Sequence, residues 1–437
     1  MGRTQRKRKQ KLKTPKNTIV NNDPSTIKLK QWLCANKWTD ETFINISEFE
    51  QTGRGVLFKT KKNVGDKLIS IPYSMLISLN TLQDDVEFNK QILEDFCTPL
   101  SMQQGLCLYI LYHKHLGLES LWHQYVDTIP KAFSVPYFCI PREQQVIPKL
   151  IHTQLEQQTE NINQVLEFIT NIKTRCTCCH QPWGSIFYPD VSWSYFAVNT
   201  RCVYVDPEIV KALTKPAKWL KDEPSIALAP LLDMFNHDCQ AQTEAKLNVD
   251  LQTVLQCNND VKLRLCYELY TLKQYEAYSE CFISYGKHDN LKLLVEYGFY
   301  IPHNPYDFIT INFEDIVLLS KTHVVQNFYK KQIFMQTKDL QQYLFLNSEG
   351  FSHNLIMLMH LFFNNTLLYF DEIYKVSDIE GVREPCRTLV ENKIYEINNC
   401  LRKMLCVVDY TDSFSVIVGF MQSREKMLQE ILKRIQK

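Results

Sequence analysis

Glycine is scarce, with twelve in 437 residues. No Gly-Lys-Ser or Gly-Lys-Thr occurs, and Gly53-Arg54-Gly55 is followed by no third glycine at dinucleotide spacing. P-loop and Rossmann nucleotide sites are therefore set aside. Long apolar runs are also missing: none approaches the roughly 20 residues that a spanning helix needs, so a membrane protein is not expected. The first sixteen residues hold a charged run and no apolar core, so no secretory leader is expected, and fifteen cysteines then read as reduced thiols without disulfides. Gly2 does not open a myristoylation signal, because Arg6 stands where Ser or Thr is needed. Neither sign of charge dominates overall, with 49 basic and 48 acidic residues. Eight of the basic residues fall between Arg3 and Lys16, leaving 41 basic against 48 acidic residues in the rest of the chain. No sequence-specific nucleic-acid binding is expected from so acidic a body.

What is present is an ordinary globular composition, 45% hydrophobic and 22% charged, long enough for two or three domains. Residues 1–24 form a polar, basic tail expected to be disordered. Its Arg6-Lys-Arg-Lys9 run reads equally well as a nuclear-import signal or electrostatic arm and as a solvated tail. A short helix is expected over Ser25 to Asn36, then strands at Gly55 to Thr60 and Asp66 to Pro72 joined through Asn63-Val-Gly65. Helical periodicity dominates from 79 to about 175, with Gly105 to Tyr112 apolar enough to be buried. His113 and His115 lean to opposite faces and make no metal pair. Cys176-Thr-Cys178-Cys179-His180 is the one metal-like cluster, but five consecutive residues do not easily close a tetrahedron, so ordinary thiols and no metal are expected. Trp193, Phe196 and Thr200 predict a helix running into Arg201, with Cys202 to Val205 as a strand. Leu247 to Gln256 and Val261 to Tyr270 read as a hairpin across Asn258-Asn-Asp260, and Cys281 to Tyr285 as the last strand. From Asn304 the pattern is helical to the end. Val390, Ile394, Ile397, Leu401 and Met404 alternate steps of four and three as one packing stripe.

Two stretches organise the rest. Leu228-Ala-Pro-Leu-Leu-Asp233-Met-Phe-Asn236-His237 ends an apolar run in two side chains with both donor and acceptor edges, and Ile283-Ser-Tyr285-Gly286 follows about fifty residues later. Taken alone, the first reads as a helix cap with a core histidine. Tyr285, Tyr297 and Phe299 taken alone read as a half-buried aromatic cluster. In order, Gly53-Arg54-Gly55, Asn236-His237, Tyr285-Gly286 and Tyr297-Gly298-Phe299 resemble the SET-domain protein methyltransferases. Val198-Asn-Thr-Arg201 and Tyr285-Gly-Lys-His-Asp-Asn290 narrow the likeness to the Rubisco large-subunit methyltransferase type.

That resemblance implies an α+β chain: a β-rich SET core with a knot-like crossing, split by a helical insert and followed by an all-helical C-terminal domain for substrate. The expected segments are 25–78 and 184–299 for the core, 79–183 for the insert and 300–437 for the last domain. It implies S-adenosylmethionine as cofactor, with Gly53, Arg54, Gly55, Arg201, Asp233, Asn236, His237, Tyr297 and Phe299 around it and Tyr285 as the catalytic residue. The implied partner is a lysine-bearing segment of a histone tail or another protein, acted on by a monomer in nucleus and cytoplasm. Histidine as acceptor and a non-catalytic peptide-binding scaffold stay open as alternatives. Two residues depart from the family's pattern: Asp238 replaces a small hydroxyl residue, and Ser279 replaces a glycine.

Overall fold

A computed structural model describes residues 23–94, 98–249, 251–256, 265–367 and 369–436. The basic tail up to residue 22 and the Asn258-Asn-Asp260 turn lie outside the described residues. The chain divides into two compact units, 1–129 with 201–284 and 130–200 with 285–437. The expected 79–183 insert is thus cut after Ile129, and the expected core ends its first unit at Ser284.

In the first unit, Asp23 caps a helix over Pro24–Ala35, accepting from the Ser25 amide while Pro24 sits where a missing N–H costs nothing. Strands β1 (Ile44–Phe49) and β2 (Gly53–Phe58) form a tight antiparallel hairpin that buries Ile44, Ile46, Val56, Leu57 and Phe58. Strand β3 (Lys67–Pro72) leaves that hairpin for another sheet, although only a short turn separates it from β2. β4 (Cys202–Tyr204) pairs with β5 (Ile226–Leu228). β6 (Asn236–His237) follows, then β7 (Thr243–Leu247), β8 (Cys266–Thr271) and β9 (Glu280–Ile283). The main sheet has the order β1-β2-β9-β6, and β3-β8-β7 forms a second. β7 and β8 do pair antiparallel, but Leu251–Gln256 is a helix where a strand continuing from Leu247 was expected. Its two leucines and two glutamines favour helix and outnumber the β-branched Thr253 and Val254.

The helix Met102–Leu116 is buried along most of its length, opened by a Ser101/Gln104 capping box. Near its end His113 Nε2 lies 3.3 Å from Asp85 Oδ2, with Tyr109 donating to the same oxygen. Burial, only partly offset by Asp85, lowers the imidazole from 6.5. Burial raises the Asp85 carboxyl, but hydrogen bonds from His113, the Phe88 amide and Tyr109 outweigh it and hold the group below 3.8. Both folded values lie below the unfolded ones, so their stabilisation is complete above about pH 6.5 and is lost as pH falls. Thermal midpoints should therefore drop between pH 7.5 and 5.5, and less so in His113→Gln. Equal drops in the two proteins would exclude His113 as the source.

In the second unit, the helix Lys149–Asn171 buries Ile151, Leu155, Gln158, Ile162, Val165, Phe168 and Ile169, the one-sided spacing of an amphipathic helix. The helices Arg383–Leu405 and Asp412–Ile435 pack together through Val390, Ile394, Ile397, Leu401 and Met404 on one side and Phe414, Ile417, Phe420 and Leu428 on the other. The C-terminal region is mainly helical, but not all-helical as expected. β10 (Phe308–Thr310), β11 (Phe345–Asn347) and β12 (Gly350–Phe351) form a small antiparallel sheet. Its strands are only two or three residues long, too short to leave a period-two pattern. Gly350, at φ +127°, closes the β11–β12 turn with Asn347 Oδ1 accepting from its amide.

Candidate functional site

In the first unit the site residues gather around β9, which lies between β2 and β6. β6 runs parallel to it, with Asn236 opposite Phe282 and His237 opposite Ile283. The run leading to this pair carries Leu231, a fully buried residue at φ +71°. A non-glycine residue held there costs on the order of 1–3 kcal/mol, which the packed surroundings must supply.

Asn236 ties the three strands together. Its Nδ2 donates to the Arg54 carbonyl at 3.0 Å and to Glu280 Oε1 at 2.8 Å. Thr52 Oγ1 donates to both Glu280 oxygens, at 2.8 and 2.7 Å. Burial raises the Glu280 carboxyl, with the Asn236 and Thr52 bonds acting against it. Among the described residues nothing donates to Asn236 Oδ1, so its acceptor edge remains available. His237 is buried, its Nδ1 3.4 Å from the Ile283 carbonyl, an oxygen that also accepts from the Asp238 amide at 3.1 Å. Asp238 turns its own Oδ1 to the Gln240 amide, and Ser279 donates to the Glu276 carbonyl, so both departures from the family's pattern are absorbed in local turns.

Gly53 and Gly55 have different reasons to lack side chains. Gly53 is left-handed, at φ +69°. A Cβ on Gly55 would stand 2.5 Å from Glu280 Oε1 and 2.8 Å from Asn236 Nδ2, inside the latch. Gly55→Ala should cost about 1–2 kcal/mol by overpacking and loosen the β2–β9 edge. Faster amide exchange confined to β2 and β9 would show this, and wild-type exchange there would argue against it.

Arg54 donates to the Thr128 carbonyl at 2.7 Å. Burial, and after it the charge of Arg201, pulls its guanidinium below the ordinary value. Arg201 pairs with Asp233 at 3.0 Å, with the aspartate side chain wholly enclosed. Tyr125 donates to the same carboxylate oxygen at 2.9 Å. Burial, then the Asp233 charge, pushes the Tyr125 phenol well above its usual range, which keeps it a donor. Asp233, expected against cofactor, holds Arg201 and Tyr125 through its Oδ2. Sequence reasoning missed Tyr125, Thr52 and Glu280 as parts of this arrangement, because their partners lie tens to hundreds of residues away.

In the second unit, Tyr285, Tyr297 and Phe299 form a half-buried aromatic group. The Tyr285 and Tyr297 ring centres are 5.1 Å apart, and those of Tyr297 and Phe299 6.3 Å. His288 stacks on Tyr297 at 6.1 Å, and burial followed by Lys292 lowers its pKa, favouring the neutral ring. Gly298 is left-handed at φ +80°, and a Cβ there would meet the Ser134 backbone at 2.9 Å. The Tyr-Gly-Phe turn is thus held close to the chain at Ser134. Behind it Asn290 is fully used: its amide donates to Asp307, its Nδ2 to Ile301 and Asp307, and its Oδ1 accepts from Ile301 and Asn304. Gln158 and Asn199 reach the carbonyls of Val295 and Glu296 from two helices. The segment from 285 to 299 is therefore held at several points, with its aromatic rings half-buried and Lys287 and Lys292 exposed.

A Gly-x-Gly strand, a parallel Asn-His strand and a strand leading into Tyr-Gly are the parts of a SET-domain methyltransferase. No protein-family model matches the chain. Human SET domain-containing protein 4 is 30% identical over 325 residues, covering 72% of this chain and 68% of that protein. The Artemia parthenogenetica protein of the same name is 25% identical over 410 residues, covering 90% and 95%. Among solved structures, the SET domain of LSMT bound to lysine and AdoHcy shares the fold at a TM-score of 0.59 and 16% identity, covering 94% of this chain and 91% of that one. The chain belongs to the SET-domain family of SET domain-containing protein 4, and it shares the fold of the Rubisco LSMT structures.

Proposed function

We propose that the protein transfers methyl groups from S-adenosylmethionine to lysine side chains of other proteins. The observation that carries this reading is the latch at Asn236, which joins the Gly-x-Gly strand to the strand running into Tyr285 and still leaves an acceptor edge. The residues present fit the cofactor. Gly53 leaves backbone uncovered by side chains, and Asn236 Oδ1 and the His237 ring offer the polar edges that an adenine and a bent methionine need. Arg54, Arg201, Asn236 and His237 would hold the group, with Arg201 kept in place by Asp233. Bound there, the cofactor would supply an electrophilic methyl on a sulfonium and a neutral thioether as leaving group.

The chain's own residues then have three tasks. The first is positioning, because in-line displacement requires reacting atoms about 3 Å apart. The second is to favour the neutral amine, whose deprotonation at pH 7 costs roughly 4–5 kcal/mol from a reference pKa near 10.4. An aromatic lining of Tyr297 and Phe299 lowers that cost by desolvating the ammonium, and their ring faces favour the cationic sulfonium. The third belongs to the Tyr285 hydroxyl, which orients the amine. The thioether leaves neutral, so no acid is required.

Substrates are read as lysine-bearing segments of histone or non-histone proteins, met by a monomer in nucleus and cytoplasm. The Arg6–Lys9 run motivates the nuclear part. Tritiated methyl transfer into fractionated cell extract, with mass-spectrometric location of the label, tests the assignment. Labelled lysine is expected. Labelled histidine would replace lysine as acceptor, and no label together with no S-adenosylmethionine binding by calorimetry would leave a peptide-binding scaffold. Asn236→Ala should raise the S-adenosylmethionine dissociation constant about tenfold, or 1.4 kcal/mol. An unchanged constant would remove Asn236 from the cofactor.

A further inference from the structure

The three thiols of Cys176, Cys178 and Cys179 have no part in methyl transfer, yet their sulfurs all lie within 4.8 Å of one another. The Cys176 and Cys178 sulfurs are 2.9 Å apart. That is too long for a disulfide, whose bond is about 2.05 Å. Zinc–thiolate bonds of about 2.3 Å place sulfurs roughly 3.8 Å apart on a tetrahedral edge. The 2.9 Å spacing is shorter than that edge, and the 4.8 Å limit on the group accommodates it.

Sequence spacing alone argues against a metal here, because five consecutive residues do not readily wrap an ion. The fold answers that objection. Arg175 and Pro182 form an antiparallel bridge, the Cys176 amide donates to the Gln181 carbonyl at 3.0 Å, and the His180 amide donates to the Cys176 carbonyl at 2.9 Å. His180 sits at φ +59°, which reverses the chain, and Arg175 caps the His180 carbonyl at 3.2 Å. The result is a closed knuckle with Cys176 buried at its base and Cys178 exposed at its tip. Immediately after it, buried Trp183 and Phe187 anchor the next short helix, so the knuckle's base is fixed in the core. Three sulfurs are thus delivered to one side of a pre-formed turn with little chain entropy left to lose.

We propose that Cys176, Cys178 and Cys179 bind a single zinc ion as three thiolates, leaving one tetrahedral corner for a nitrogen or water ligand. Its role is structural. It clamps the turn between the helix Lys149–Asn171 and the helix Trp183–Phe187, and it protects exposed thiols from oxidation.

The test uses the full-length protein purified in metal-scavenged buffer without chelator. Elemental analysis should find about one zinc per chain, released by a mercurial thiol reagent. Cobalt taken up in its place should show sulfur-to-cobalt charge transfer in the near ultraviolet, with an intensity matching three thiolates. Cys178→Ser and Cys179→Ser, chosen because they spare the buried Cys176, should each weaken zinc binding at least 100-fold in competition with a colorimetric chelator. The exposed Cys34→Ser control should bind as wild type. Neither zinc nor a cobalt charge-transfer band would overturn the proposal. So would unchanged metal content in both knuckle variants, or a Cys176–Cys178 disulfide in non-reducing peptide mapping.

Discussion

Asp233→Ala is expected to destabilise the first unit by about 3 kcal/mol without touching the second. The wild-type carboxylate is wholly enclosed, accepts from Tyr125 at 2.9 Å and faces the Arg201 guanidinium at 3.0 Å. Removing it takes the carboxylate from a cation that is only 13% exposed, which keeps its bond to the Asp233 carbonyl, and from a buried phenol. Breaking a buried pair from one side costs roughly 3–5 kcal/mol, because the remaining charge keeps its desolvation penalty, and the slight exposure of Arg201 places this case at the low end. Hydrogen exchange separates the two units where a global melt would blend them. Peptides from β2, β4, β5 and β6 should lose protection, while those from the helices Arg383–Leu405 and Asp412–Ile435 should not. The double variant Asp233→Leu with Arg201→Met should recover much of the loss, since well-packed apolar replacements of buried pairs are often near neutral. Undisturbed exchange in Asp233→Ala would show that the pair stabilises nothing.

That pair also shows where sequence reading succeeds and where it stops. Arg201 and Asp233 were both named from the sequence, because each stands in a motif resembling the family's. Their bond was not legible, since nothing in either motif names the partner. Periodic elements were the most readable: the stripe from Val390 to Met404 is buried as its spacing predicts, and the helix ending at Asn199 delivers Arg201 into β4 within three residues. Local patterns failed where tertiary pairing decides the outcome. Leu251–Gln256 carries residues tolerable in a strand and forms a helix, while Phe345–Asn347 and Gly350–Phe351 are too short to announce a sheet inside a helical region. The latch is the extreme case. Thr52 and Glu280 are 228 residues apart, and Glu280 drew notice only as the neighbour of a replaced glycine. The cysteine knuckle is the opposite case: the residues were plain in the sequence, and the turn that gathers them was not.

Tyr285→Phe should lower the turnover of methyl transfer about 100-fold, equivalent to 2.7 kcal/mol of transition-state stabilisation, with S-adenosylmethionine affinity within about twofold of wild type. The substitution is informative because it takes away one oxygen and nothing else. The ring remains to pack on Tyr297 at 5.1 Å, and the backbone is held by the buried Asn290 network five residues later. A loss of activity therefore cannot be traced to a collapsed aromatic group, and near-ultraviolet dichroism of the variant should confirm that the remaining rings keep their environment. Under the proposed function the hydroxyl would aim the amine lone pair at the methyl and accept its weak C–H contacts, interactions that would strengthen only as transfer proceeds. An oxygen working that way lowers turnover and leaves cofactor binding alone. If it merely held the cofactor, the dissociation constant would rise in step with the loss of rate. If Tyr285 were no more than packing, Tyr285→Phe would run at the wild-type rate, and the catalytic assignment would have to move elsewhere.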